Sequence, residues 1–304
     1  MAKAAKTATI KKATIKRSPA KKPTIKTVPK APAAGSGDID RLWSVYWQKP
    51  GDEQLLRVYA DALEQAGDPR GTFIQLSLLE QRTPEQDAAR ERLLNKNKGD
   101  LVGPAKAYLR EIEFGANGLV AMVRTEADKV IAGAAELSRL NPRLILTITS
   151  MKTEALAKAF AKLDLGNIYF IDFGWLTGTH GGCRLTDKLL LALAPGLANV
   201  ENLELSFSTA ANSPTPAGMR ALGGQLRKLR FLAMDYPPGS DLPSAQAYAA
   251  AMRDAYPTLK AIECPSMLAS DFPNVMVNKL IGGDEDINGI LREDTATKVE
   301  RLFS

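Results

Sequence analysis

The sequence predicts an α/β fold in which a strand and a helix repeat every 25–32 residues and stack into a short solenoid with a parallel sheet on its concave face. Two observations predict it. One apolar pattern recurs along residues 109–270, and an amphipathic segment of helical spacing precedes most of its copies. A unit this short cannot cover its own apolar face, so neighbouring units must stack to bury it.

The pattern is apolar at positions 0, +3, +6 and +8. It fits Leu165, Ile168, Ile171 and Phe173, then Leu197, Val200, Leu203 and Leu205. It fits again at Leu226, Leu229, Leu232 and Met234, and at Tyr256, Leu259, Ile262 and Cys264. An earlier copy, Leu140, Leu146 and Ile148, is broken only by Arg143. Positions +6 and +8 share one face of a strand, because side chains alternate along an extended chain. Thr153–Leu163, Thr186–Leu193, Thr215–Leu226 and Ser244–Ala255 are the expected helices. The stretch Leu109–Val123, with Phe114, Gly118 and Leu119, is expected to form capping strands.

This pattern resembles the leucine-rich repeat. That family commonly carries Asn or Cys at +11 to bond the backbone of the turn. Here +11 holds Met151, Leu176, Ser208, Pro237 and Met267, so irregular turns and a less rigid solenoid are expected.

Residues 38–108 read as an N-terminal helical module. Asp52 is an N-cap candidate ahead of Leu55, Leu56, Tyr59 and Leu63 at helical spacing. Gly67 ends that helix and Pro69 prevents its continuation. A second helix carries Phe73, Ile74, Leu76, Leu78 and Leu79, and Thr83-Pro84 opens a third, polar one running to about Leu94. The segment from Gln54 through Tyr59-Ala60-Asp61, then Gly67-Asp68-Pro69-Arg70-Gly71 and Phe73-Ile74-Gln75-Leu76, resembles the bacterial repeat-companion domain over about residues 40–82. That module usually accompanies repeats and has no established activity to carry over. It usually has Trp after Tyr-Ala-Asp, where this chain has Ala62.

Residues 1–37 contain ten Lys or Arg and no Asp or Glu, which leaves 30 basic against 34 acidic residues in the remainder. The tail is therefore +10 and the body −4, so the sequence pI near 9.2 belongs to the tail. Pro19, Pro23, Pro29 and Pro32 and a shortage of apolar surface predict disorder, ending in a hinge at Gly35-Ser36-Gly37. Lys11, Lys12, Lys16, Arg17, Lys21, Lys22 and Lys26 are spaced to neutralise phosphates without reading bases. Their expected partner is nucleic acid, another polyanion, an acidic protein, a membrane surface, or the acidic face of the chain's own repeats. A merely solubilising extension is the alternative.

The charged start is not followed by an apolar stretch of signal-peptide type, and the longest apolar run, Leu189 to Ala198, is half a membrane span. Cys183 and Cys264 lie far apart, which argues against a disulfide framework. A cytoplasmic location is expected.

Chemistry is sparse. His180 is the single histidine, in Gly178-Thr-His-Gly-Gly-Cys183, and reads as a connecting loop rather than a nucleophile pair or metal site. Asp284, Asp286, Asn288 and Gly289 match half of a calcium loop, but Thr295 stands where the bidentate Glu belongs. Residues 271–304 are otherwise a cap or tail, with a weak helical pattern near Thr295–Phe303. No catalytic residue, metal or cofactor is expected. Positions +5, +7 and +9 should project from the concave face. They include Phe170, Asp172, Glu204, Phe231, Asp235 and Glu263, acidic groups with exposed aromatics that suit a basic protein segment, an ordinary solvated sheet face being the alternative. A non-enzymatic protein-interaction scaffold is therefore the expected function. A nucleic-acid-associated protein anchored by the tail is the alternative, and an enzyme a weaker one.

Overall fold

The computed structural model describes residues 36–173, 185–207, 209–235, 241–264, 266–267 and 269–277. Residues 1–35 of the basic tail, His180, Cys183, three +11 residues (Leu176, Ser208 and Pro237) and the half calcium loop at 284–295 lie outside them.

Four helices open the described chain: α1 (Ser36–Gln48), α2 (Glu53–Gln65), α3 (Pro69–Ser77) and α4 (Pro84–Val102). Ser36 and Gly37, expected in a hinge, begin α1 instead. Asp52 caps α2, accepting the Leu55 N–H at 3.1 Å. Gly67 leaves the helix with φ of +78°, a conformation that suits glycine. Asp68 then caps α3 through the Arg70 N–H at 2.9 Å and also receives the Arg70 guanidinium. Gln75 donates to Asp61 Oδ1 and to the Arg57 carbonyl, tying α3 back to α2. Gly71 lies where α3 touches α2: a Cβ there would stand 2.5 Å from Ala60 O and Glu64 N. The Tyr-Ala-Asp and Gly-Asp-Pro-Arg-Gly pieces are thus used in building one helical hairpin. Thr83 and Gln86 form a reciprocal capping box at the start of α4. That helix outruns its expected end near Leu94 and bends at Asn97.

The helices pack on the first strands. Phe73 of α3 meets Phe114 edge-on with centroids 5.1 Å apart. Gly118, with φ of +79°, approaches α3 so closely that a Cβ would be 2.9 Å from Ile74 Cα. Leu119 completes the apolar cluster of Tyr46, Leu56, Tyr59, Leu63 and Ile74.

Among the described residues, eight strands form one sheet in chain order: β1 (Glu111–Phe114), β2 (Val120–Thr125), β3 (Leu144–Ile148), β4 (Ile168–Asp172), β5 (Asn202–Ser206), β6 (Phe231–Asp235), β7 (Ala261–Glu263) and β8 (Met276–Val277). Only β1 runs antiparallel to its neighbour; the rest are parallel. Between the parallel strands lie α5 (Ala127–Ala132), α6 (Ala134–Leu137), α7 (Glu154–Phe160), α8 (Asp187–Leu197), α9 (Pro216–Gly223) and α10 (Ala245–Met252). Helix α8 extends past its expected end through Pro195, which falls in its last turn.

The +6 residues are in register: Leu146 opposes Ile171, then Leu203, Leu232 and Ile262 follow on successive strands. All are at most 1% exposed and share one core with Phe160, Leu190, Leu193, Met219, Leu222 and Tyr248 of the helices. The fold is therefore an α/β sheet with its helical layer packed on the +6 face.

Although +11 lacks Asn, side chains tie successive units at the entry to the strands. Asn141 Nδ2 donates to Val120 O at 2.8 Å, Asn167 Nδ2 to Leu137 O and Asn141 O, and Asn202 Nδ2 to Tyr169 O at 2.8 Å. Thr258 Oγ1 donates to Leu229 O at 2.7 Å. Each satisfies a carbonyl of the preceding unit, so the buried backbone there is not left unpaired. On the helical side, Tyr248 O–H reaches Pro214 O and Tyr256 O–H reaches Met219 O.

Helices α7 and α8 are also joined by charge. Glu154 lies 2.7 Å from both Lys158 and Lys188, whose hydrogen bonds hold its carboxyl down at about 2. A depressed carboxylate stabilises the fold fully above its ordinary value of 4.5, and that contribution fades as pH falls through about 2. Glu154→Gln should therefore lower stability slightly at neutral pH and low salt, and the difference from the parent should vanish by about pH 2. Paired urea melts across that range check it. A difference that grew on acidification would contradict it.

Candidate functional site

The face of the sheet turned away from the helices carries two cross-strand rows. The first runs Met122, Ile145, Phe170, Asn202, Phe231, Ala261 and Met276. The second, two residues further along each strand, runs Arg124, Thr147, Asp172, Glu204, Ala233 and Glu263. Alternation places both rows opposite the +6 column, and adjacent strands separate successive members by about 4.8 Å. Asp172 and Glu204 are thus direct neighbours across one strand pair.

The alternation rule assigns these residues to the correct face, but their exposure differs from expectation. Phe170 and Phe231, expected to be exposed, are each 1% exposed. Their rings lie 6.1 Å apart, and they form a small apolar cluster with Met122, Ile145 and Ala261. Large side chains on one flat row cover one another, which a single strand's pattern does not reveal. Asp172 is fully buried and Glu263 is 6% exposed, while Glu204 is half-buried. The Asp235 backbone pairs with Ser206 on the same sheet.

Polar groups in and beside the second row are held at low exposure. The Thr147 hydroxyl is fully buried and has no hydrogen-bond partner among the described residues. Arg124 pairs with Glu111 of β1. At the edge of the first row, the Arg143 guanidinium lies 4.2 Å from the Tyr169 ring centroid. Sequence reasoning missed Arg124 and Arg143 as neighbours of this face, and Thr147 as a buried hydroxyl.

Among the described residues, no group of three His, Cys, Asp or Glu side chains is placed to hold a metal ion. No described helix is long and apolar enough to cross a membrane. Comparison with protein-family models finds no match, and a search of curated proteins finds none either.

Proposed function

We propose that this chain is a non-enzymatic protein-interaction scaffold of the leucine-rich-repeat kind, whose recognition surface is the sheet face turned away from the helices. The observation that carries this reading is the row Asp172, Glu204 and Glu263 beside the apolar row of Phe170 and Phe231. Asp172 and Glu204 are direct neighbours on adjacent strands, and Glu263 continues the row two strands on. The partner's chemistry is therefore a Lys- or Arg-rich peptide that meets the half-buried Glu204.

A photo-crosslinker placed at Glu204 should capture such a cationic peptide, and one placed at the exposed Arg92 of α4 should not. Glu204→Lys should weaken peptide binding about tenfold or more, and added salt should weaken it in the parent. Equal binding by parent and Glu204→Lys, or a preference for acidic peptides, would overturn the proposal. Removing residues 1–35 should leave peptide binding in place, which separates this reading from one in which the tail is the binding element.

A further inference from the structure

The segments that lead from the helices into the parallel strands all arrive at one edge of the sheet, because β2–β8 run the same way. From β3 to β7 this strand-entry edge is made of residues 138–143, 161–167, 198–201, 224–230 and 253–260. They contain eight Lys or Arg against three carboxylates, a net of +5 on a body whose net charge is −4. The segments that leave β2, β3, β5 and β6 carry, among the described residues, Glu126, Lys152 and Asp241. The strand-entry edge is thus basic and the opposite edge is not.

Arg139, Lys162, Arg227, Lys228, Arg253 and Lys260 are all exposed. Successive segments are stacked side by side: the Arg230 N–H donates to Glu201 O and the Lys260 N–H to Arg230 O, each at 2.8 Å. Four strand spacings separate Arg143, ahead of β3, from Lys260, ahead of β7, a span of about 19 Å. A nucleic-acid duplex laid along that span presents about eleven phosphates. Glu201 interrupts the row only weakly. It lies 3.8 Å from Arg230 in a largely exposed pair, which water and salt attenuate.

We propose that the strand-entry edge binds the phosphate backbone of a nucleic-acid duplex without reading its sequence. Cations spaced along a solvated edge neutralise phosphates and release their counterions, whatever the bases. A lipid surface fits less well. The large apolar side chains exposed among the described residues, Val45 and Val58, belong to α1 and α2, and none at this edge can insert among acyl chains. Tyr169 is half-buried under the Arg143 guanidinium, so the edge presents no open ring to unpaired bases, which favours a duplex over a single strand. Residues 1–35 add ten Lys or Arg and no carboxylate, a composition with the same preference. This edge is separate from the sheet face and does not rest on the peptide-binding reading.

The test uses the full chain and duplexes of unrelated sequence. Amine acetylation read by mass spectrometry is expected to show Lys228 and Lys260 protected by the duplex, and the exposed Lys152 after β3 unprotected. The duplexes should bind equally. Lys228→Gln with Lys260→Gln should weaken binding about tenfold and reduce the slope of log affinity against log salt by about two, one for each lost phosphate contact. Both changes remove exposed charges, and circular dichroism checks that the fold is retained. Lys228 and Lys260 should stay protected in Lys21→Gln with Lys22→Gln, which separates the edge from the tail. The Lys228 and Lys260 variant should still give the Glu204 crosslink to a cationic peptide, so the two proposals fail separately. Unchanged affinity and slope in that variant, protection confined to the tail lysines, or equal protection by phosphatidylglycerol vesicles or polyglutamate would overturn the assignment.

Discussion

Replacing Leu203 by alanine is expected to lower the unfolding free energy by about 2–5 kcal/mol, as for other large-to-small changes in a closed core. Leu203 is fully buried at the centre of the +6 row, opposed by Ile171 on one side and Leu232 on the other. Both neighbours belong to strands anchored by their own helices, so the site has little freedom to collapse around the lost atoms. The removed methyl groups forfeit transfer free energy, and the residual cavity adds to the loss. Urea denaturation at fixed pH measures it, with Arg92→Ala on α4 as an exposed control expected to stay within about 0.5 kcal/mol. A loss below about 1 kcal/mol at Leu203 would mean that the row is not the centre of the core.

Gly71→Ala is expected to destabilise the chain although it sits in a helix, where alanine ordinarily gains about 1 kcal/mol over glycine. The added Cβ would lie 2.5 Å from both Ala60 O and Glu64 N and 3.0 Å from Glu64 Cα. These are backbone atoms of α2, so no side-chain rotation can relieve the overlap. Separating α3 from α2 also strains the Gln75 bonds to Asp61 and Arg57 and disturbs the cluster of Tyr59, Leu63 and Ile74. Overpacking of this kind costs about 1–3 kcal/mol or more, which outweighs the propensity gain. Thermal melts of parent and variant decide the sign. A variant as stable as the parent would show that the two helices are not in this close contact.

The particular residues show which parts of the fold were legible in the sequence. Asp52, Gly67 and Thr83 marked helix ends because capping and positive φ are local demands, met by residues next to the groups they satisfy. The +6 row was legible because an apolar residue recurring at a fixed place in each unit must share one face of the sheet when the units stack. The same alternation placed Phe170, Asp172, Glu204, Phe231 and Glu263 on the opposite face.

Burial and partnership were decided only in three dimensions. Phe170 is closed off in a cluster with Phe231, which lies 61 positions further along the chain. Asn141, Asn167 and Asn202 were unremarkable in the sequence, yet their amides bond carbonyls 21–33 residues earlier and hold the units together. Trp43, Arg70 and Arg139 come from three separate segments yet line one small cleft, and none of them carries a local pattern that announces the others. Periodicity and capping depend on neighbours along the chain, so the sequence determined the elements and their inward faces. Exposure, long-range hydrogen bonds and enclosure depend on which distant segments meet, and that was decided by packing.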